Sequence, residues 1–500
     1  MGTTMNDAAS DFNETREYSS LDEVMTSLLS AKDKTFRELD KTGRALKGGN
    51  KGSLGQIIEE SVLGYAINSD AEPDIRIGDT SYELKVTPLK HIKKSKETSA
   101  KERLVIDIIN YMALASEVDF ESSKMWDKAK NIILVYYYDD RADKQRELRI
   151  DCKVLASYLL RYQTNDLETI KEDWETIRAK VASGHADQLS ESDTNYLAAC
   201  TKGANSKQLR DAPAPEGADT PTIRAKQRAF SFKTSYMTAI ARQLLAQPSE
   251  LQQLPLTEHQ SLNGYLQDRF APYIGKTAGD IAAELGLAIQ PTAKQYNANI
   301  ARAMLSIKKS NILKTEEFYK ANVSMVKTAT VYPNGLPKES MPFKALTDAQ
   351  WQQWADPDIG WDDSFLKEFF ETNRLLIAVS QSPVPHQAGH DKSKDVFRGG
   401  FLWNMPAEDV EQYIKPAWEY VHELLVHKTW LNYGVRGKNK LPGQTFNKVF
   451  HLRPHTSKGK DNGNASDITI LPSGEAITKQ GFWLDRRYII KAINAHNMLA

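Results

Sequence analysis

The chain has 500 residues, with 65 Lys and Arg against 65 Asp and Glu, and 40% of it is hydrophobic; that length exceeds one ordinary core, favours two or three domains, and carries no bulk charge that would announce a nucleic-acid partner. No run of about 18 apolar residues occurs, which argues against a helical membrane span, and the start MGTTMNDAASDFNETREY lacks the basic and apolar regions of a secretory signal. The two cysteines, Cys152 and Cys200, argue against a disulfide framework or a cysteine zinc site and lead us to expect a reducing, cytoplasmic setting.

In chain order, SSLDEVMTSLLSA has a serine cap signal followed by apolar residues at helical spacing, and predicts a helix. The glycine-rich turn KGGNKGSLG opens a second predicted helix, QIIEESVLGYAI. Strands are predicted in IRIGDTSYELKVT and NIILVYYYDD, then helix around Trp174, a loop over Ala212 to Pro221, and strand followed by helix in RAFSFKTSYMTAIARQLL. The basic clusters Lys41 to Lys51 and Lys90 to Arg103 read, taken alone, as solvated loops. A loose stretch over 247–261 divides a domain at 1–246 from another at 262–500.

The two halves repeat one another. YELKVTPL at Tyr82 returns as SMVKTATV at Ser324, and EDWETIRAKV at Glu172 as PAWEYVHELL at Pro416. YLAACTKGANSK at Tyr196 returns as VFHLRPHTSKGK at Val449, and AKQRAFSFKTSYMTAIA at Ala225 as TKQGFWLDRRYIIKAI at Thr478. The pairs keep their order at an offset of about 240 to 255 residues, the mark of a duplicated domain.

Asp74 precedes Tyr82-Glu83-Leu84-Lys85, an acid, a spacer, then acid-x-Lys. Phosphodiester hydrolysis needs a hard divalent cation held by carboxylate oxygens, and residues two apart on a strand share a face. Glu83 can then hold the metal together with Asp74, while Lys85 orients water or stabilises charge. Glu59 or Glu60, in the predicted second helix, can reach the same metal, and Lys128, before the strand NIILVYY, can add positive charge. The motif alone is weak, because a surface salt pair has the same form; Asp151-Cys152-Lys153 has it and is given no role. The repeat sharpens it. Met325 stands in the place of Glu83, Arg302 and Ala303 opposite Glu59 and Glu60, and Glu371 opposite Lys128, while Lys327 is kept opposite Lys85. The second half lacks the acidic set together, so it reads as a degenerate copy.

KGSLGQIIEESVLGY, Pro73-Asp74, YELKVTP, SAKERLVIDIINY, YLAACTKGANS and IRAKQRAFSFKTSYMT, with HLRPHTS and TKQGFWL in the second half, resemble the MutH and Sau restriction-endonuclease family over nearly the whole chain. The resemblance implies an α/β architecture of two tandem PD-(D/E)xK domains, each a mixed sheet flanked by helices, the second degenerate. It also implies magnesium and cleavage at GATC. Asp74 and Glu83 match the family's metal carboxylates, Lys85 its lysine and Lys128 its supporting lysine. Its helix glutamate matches Glu59 counted from Lys51 and Gly55, and Glu60 counted back from Asp74 or Gly64. The base-reading loop falls on Cys200-Thr201-Lys202, and on Arg453-Pro454-His455 in the second half; Lys202 suits either guanine or a phosphate. Lys51 and Gly52 are expected near the DNA backbone.

The expected function is magnesium-dependent type II cleavage of duplex DNA at GATC, with the second domain binding another GATC as an effector. The expected protein is a monomer that pairs on DNA and works beside a cognate methyltransferase, with no membrane partner. A mismatch-repair nickase, which resembles a single copy, and a non-catalytic DNA-binding protein are the alternatives.

Overall fold

The computed structural model describes residues 16–43, 53–65, 74–92, 97–140, 149–202, 208–247, 250–308, 311–427, 440–456 and 464–499. The chain forms two compact units, Met1–Ala186 with Tyr196–Glu250, and Asp187–Asn195 with Leu251–Ala500. The second unit thus takes in Leu251 onward, where the Gln252 N–H donates to the Lys314 carbonyl at 2.8 Å. It also takes in Asp187–Asn195, an excursion that no sequence signal marked. No helix among the described residues is long and apolar enough to cross a membrane.

In the first unit, β1 (Ile75–Ile77) and β2 (Thr80–His91) form a hairpin through Gly78-Asp79, with Gly78 at φ 57, a conformation that suits glycine in a two-residue turn. β3 (Thr98–Ala100) pairs with the far end of β2. β5 (Ile132–Tyr138) runs parallel to β2, and β6 (Val154–Leu159) antiparallel to β5, giving a mixed sheet in the order β1-β2-β5-β6. β5 is β-branched and aromatic and buried at every position but its last, as a central strand covered on both faces requires. On β2 the period of two sends Tyr82, Leu84 and Val86 into a core shared with Val24, Ile57 and Ile133. Glu83 and Lys85 therefore share the opposite face.

A second, antiparallel sheet joins β4 (Leu104–Ile108), β10 (Arg228–Phe232) and β7 (Leu197–Thr201) in the order β4-β10-β7. β8 (Leu209–Pro213) and β9 (Thr222–Lys226) form a hairpin, so the loop predicted from Ala212 begins two residues too early; Ala212 and Pro213 still pair with Ile223 and Thr222. The helix Thr164–Ala182 buries Ile170, Trp174 and Ile177. Its Asp173 carboxylate accepts the N–H of Tyr196 at 2.6 Å and of Leu197 at 3.0 Å, fixing the entry to β7.

The second unit contains β11 (Val323–Val331), β12 (Met341–Ala345), β13 (Arg374–Gln381), β14 (Val396–Trp403), β15 (Phe450–Pro454), β16 (Ile468–Ile470), β17 (Ala476–Thr478) and β18 (Gln480–Leu484). β11 is parallel to β13, and β14 antiparallel to β13. β12-β18-β15 is antiparallel, and β16 and β17 make a hairpin. This is the pairing pattern of β2, β5 and β6, of β4, β10 and β7, and of β8 with β9. The register agrees as well, since Lys85 lies beside Leu134 and Lys327 beside Ile377. Among the described residues, β1 and β3 have no counterpart. A core built on Trp351, Trp354, Phe370, Trp418 and Phe482 fills this unit.

Candidate active site

Two main-chain devices assemble the acidic face of the first unit. The β1–β2 hairpin carries Asp74 back alongside β2, where its carboxylate accepts the Leu84 N–H at 2.7 Å. The helix Ser53–Ile57 passes directly into a π-helical turn, Ile58–Val62, a feature that re-aims side chains and recurs at functional sites. This turn carries both Glu59 and Glu60. Glu59 faces the carboxylates: burial first, then the Asp74 charge, push it up to about 7, with Glu60 and Glu83 adding to the rise and Lys85 opposing it. Glu60 turns aside and accepts from the Thr42 hydroxyl at 3.2 Å.

Glu83 is 6% exposed, and Lys85 Nζ donates to its Oε2 at 2.7 Å. Burial raises the Asp74 carboxyl; Glu83 adds to this, while Lys85, the Leu84 N–H and Lys128 pull it back. Lys128, in the last turn of the helix Lys124–Ala129, pairs with neither Asp74 nor Glu83. It reaches Asp107 on β4 at 3.5 Å, beside Lys124 at 3.0 Å. Asp107 was missed from sequence; the signal was an acid within the apolar strand LVIDI.

Hard carboxylate oxygens close enough for Asp74 and Glu83 to raise Glu59, and for Glu83 to raise Asp74, are the donor chemistry a divalent cation relieves. No group of three or more His, Cys, Asp and Glu side chains closes on one point among the described residues. Magnesium needs fewer, since it binds through one or two carboxylates and keeps several waters.

At the loop expected to read bases, Thr201 and Lys202 are exposed at the end of β7. Cys200 is only 1% exposed, paired with Ala229 inside the sheet, so its side chain does not face a ligand. Both faces of β7 are covered there, since Leu197, Ala198 and Ala199 are buried as well. A polar cleft of about 450 Å³ lined by Arg210, Arg224 and Gln227 lies beside this loop, because the Lys202 N–H donates to the Gln227 carbonyl. Lys51 and Gly52 lie outside the described residues.

In the second unit, Met325, which the sequence repeat sets opposite Glu83, packs against the core. Lys327 donates to the Pro342 carbonyl and lies 5.0 Å from the centre of the Phe343 ring. Arg302 bonds Gln295 and Asn299 on its own helix, and Glu371 stands 3.8 Å from Lys367. Arg453 and Pro454 are exposed, with the Arg453 guanidinium 4.8 Å above the Trp483 ring. His455 packs on Gly481, where a Cβ would come within 3.0 Å of its ring.

The family model for the DNA mismatch repair enzyme MutH matches residues 63–173. The type II restriction enzyme Sau3AI of Staphylococcus aureus is 31% identical over 477 residues, covering 89% of this chain and 92% of that protein. The DNA mismatch repair protein MutH of Shewanella woodyi is 27% identical over 198 residues, 38% of this chain and 76% of its own length. That of Shewanella baltica is 28% identical over 192 residues, 38% and 78%.

Proposed function

Because the chain belongs to the MutH and Sau-type restriction-endonuclease family, we propose that it is a type II endonuclease cutting both strands of duplex DNA at GATC. The observation that carries this reading is the meeting of Asp74, Glu83 and Lys85 on one face, with Glu59 turned toward them. Asp74 and Glu83 would hold a magnesium ion, which when bound would neutralise phosphate charge and acidify water. Lys85, bonded to Glu83, orients the attacking water and opposes the negative charge of the transition state. Glu59 brings a third carboxylate, and Lys128 adds positive charge beside Asp74. The products carry 5′-phosphate and 3′-hydroxyl ends, with the cut before the G.

We assign 1–246 as a PD-(D/E)xK catalytic domain and 262–500 as a degenerate copy that binds a second GATC without cutting it. The shared strand order and register and the loss of the acid at Met325 support this. Lys202 reads DNA in the first domain and Arg453 in the second. The protein is cytoplasmic and a monomer without DNA, pairs on it, and is accompanied by a methyltransferase that protects the host. Incubating the purified protein with plasmids that carry or lack GATC, with magnesium or with a chelator, tests the reading. Linear product only with GATC and magnesium is expected. Nicked circles alone would favour the mismatch-repair activity, and no cleavage under any condition would overturn the proposal.

A further inference from the structure

The second unit holds a cavity of about 630 Å³ beside β11, the turn before β12 and the start of the helix Tyr296–Met304. Lys294, Lys327, Lys338, Lys392, His386 and His390 line it. Glu339 is the one carboxylate among its described lining residues, and Lys338 engages it at 3.2 Å. The cavity sits on the strand that matches the acidic strand of the first unit, with Lys327 in the register position of Lys85.

Several of these side chains are held in place. Lys392 Nζ donates to the carbonyls of Ala293 at 2.8 Å and Thr292 at 3.2 Å. His390 is hydrogen-bonded to the buried Asp395 at 2.8 Å, and the Tyr332 ring packs on both His386 and His390. Burial, then Lys344, brings Lys327 down to about 8. Burial also lowers His386, and Lys338 and His390 add to it. Burial followed by the charges of Lys327 and Lys294 lowers His455, which sets that ring within reach of the same field. A pocket lined by four lysines and two histidines against one carboxylate suits a small, multiply charged oxyanion.

We propose that this cavity binds a phosphoryl group. Lysine is a point-charge partner for phosphate, and several donors converge where a phosphate presents several oxygens. The volume leaves room for the organic part of an ester. The proposal rests on side chains of the second unit alone, and stands whether or not the first unit cuts DNA.

The test titrates inorganic phosphate into the full-length protein at constant ionic strength, balanced with chloride, and follows thermal unfolding by tryptophan fluorescence, since most tryptophans lie after residue 350. A saturable upward shift of about 3 °C at roughly tenfold excess over Kd is expected. Lys338→Gln and Lys392→Gln should each weaken the phosphate affinity about tenfold. Lys327→Gln should do so as well, with circular dichroism checking that this inward-facing change still folds. A duplex without terminal phosphates is then added in competition. Displacement of phosphate identifies the DNA backbone as the source of the phosphoryl group, and retention identifies a free phosphorylated molecule; both support the site. A response that does not saturate, or one that saturates equally in the wild type and all three variants, overturns it.

Discussion

Asp74 is tied to Leu84 by a 2.7 Å hydrogen bond from the Leu84 N–H to its carboxylate, so the residue before the hairpin is locked to the centre of the Glu83-Leu84-Lys85 segment. Asp74→Asn keeps an acceptor at that point and removes the charge. It should fold with a melting temperature close to the wild type, yet cut GATC plasmid at least about a hundredfold more slowly. Parallel melting curves and cleavage rates check this, and near-normal cutting would remove Asp74 from the chemistry.

Glu83→Ala should abolish cleavage, at a cost of at least about 3 kcal/mol in activation free energy, while binding of a GATC duplex stays nearly intact. Metal chemistry and base reading use different side chains in our proposal. Gel-shift titration beside plasmid cleavage separates the two, and a variant that still cuts well would refute the assignment.

The carboxyl of Glu59, raised to about 7, links stability to pH. Its folded pKa exceeds the unfolded value of 4.5, so the stability it contributes is complete below pH 4.5 and is lost as pH rises through about 7. Glu59→Gln should therefore flatten this decline and leave the metal-free protein more stable at pH 8, by about 1 kcal/mol after discounting for solvent screening. Magnesium binds the ionised carboxylates, so it should raise the melting temperature more at pH 8 than at pH 5.5. Equal magnesium effects at the two pH values would contradict the site.

Lys202→Ala should reduce discrimination for GATC by about 1 to 3 kcal/mol if its ammonium reads guanine. Competition binding against a scrambled duplex over a salt series measures this. Equal weakening on all sequences, with a shallower salt slope, would make Lys202 a phosphate contact instead.

Arg453 is exposed and braced on the Trp483 ring, which presents the guanidinium with little freedom left to lose on binding. Plasmids with two GATC sites should be cut faster than those with one, and a short GATC duplex added in trans should rescue the slower. Arg453→Ala should abolish both effects and leave the basal one-site rate unchanged. Identical rates on both plasmids, indifferent to the added duplex, would show that the second domain is not a DNA sensor.

Much of this architecture was legible because strand alternation is a strong signal. YELKVT shows which residues face together, and the strand that the repeat sets opposite it, Val323–Val331, also runs parallel to its neighbour. The one-residue offset between Glu59, counted from Lys51 and Gly55, and Glu60, counted back from Asp74 or Gly64, has a physical counterpart in the π turn at Ile58–Val62, whose extra residue an α-helical pattern does not reveal. The acid in LVIDI marks Asp107 in the sequence, but its pairing with Lys124 and Lys128 was not legible, because they come from a later helix and only the tertiary fold brings them together. The basic cavity of the second unit likewise depends on side chains spread from Lys294 to Lys392.

The excursion Asp187–Asn195 bears on how the protein is made. Asn195 accepts from Arg374, 179 residues further on, and Asp193 from Asn404, 211 residues on. At a translation rate of about 5 to 20 residues per second, these partners leave the ribosome roughly 10 to 40 seconds after the segment that needs them. Throughout that interval the nascent first half carries a stretch that cannot yet settle. A polypeptide halted at residue 250 would carry it permanently, so synthesis of the second half completes a part of the chain that was translated long before it.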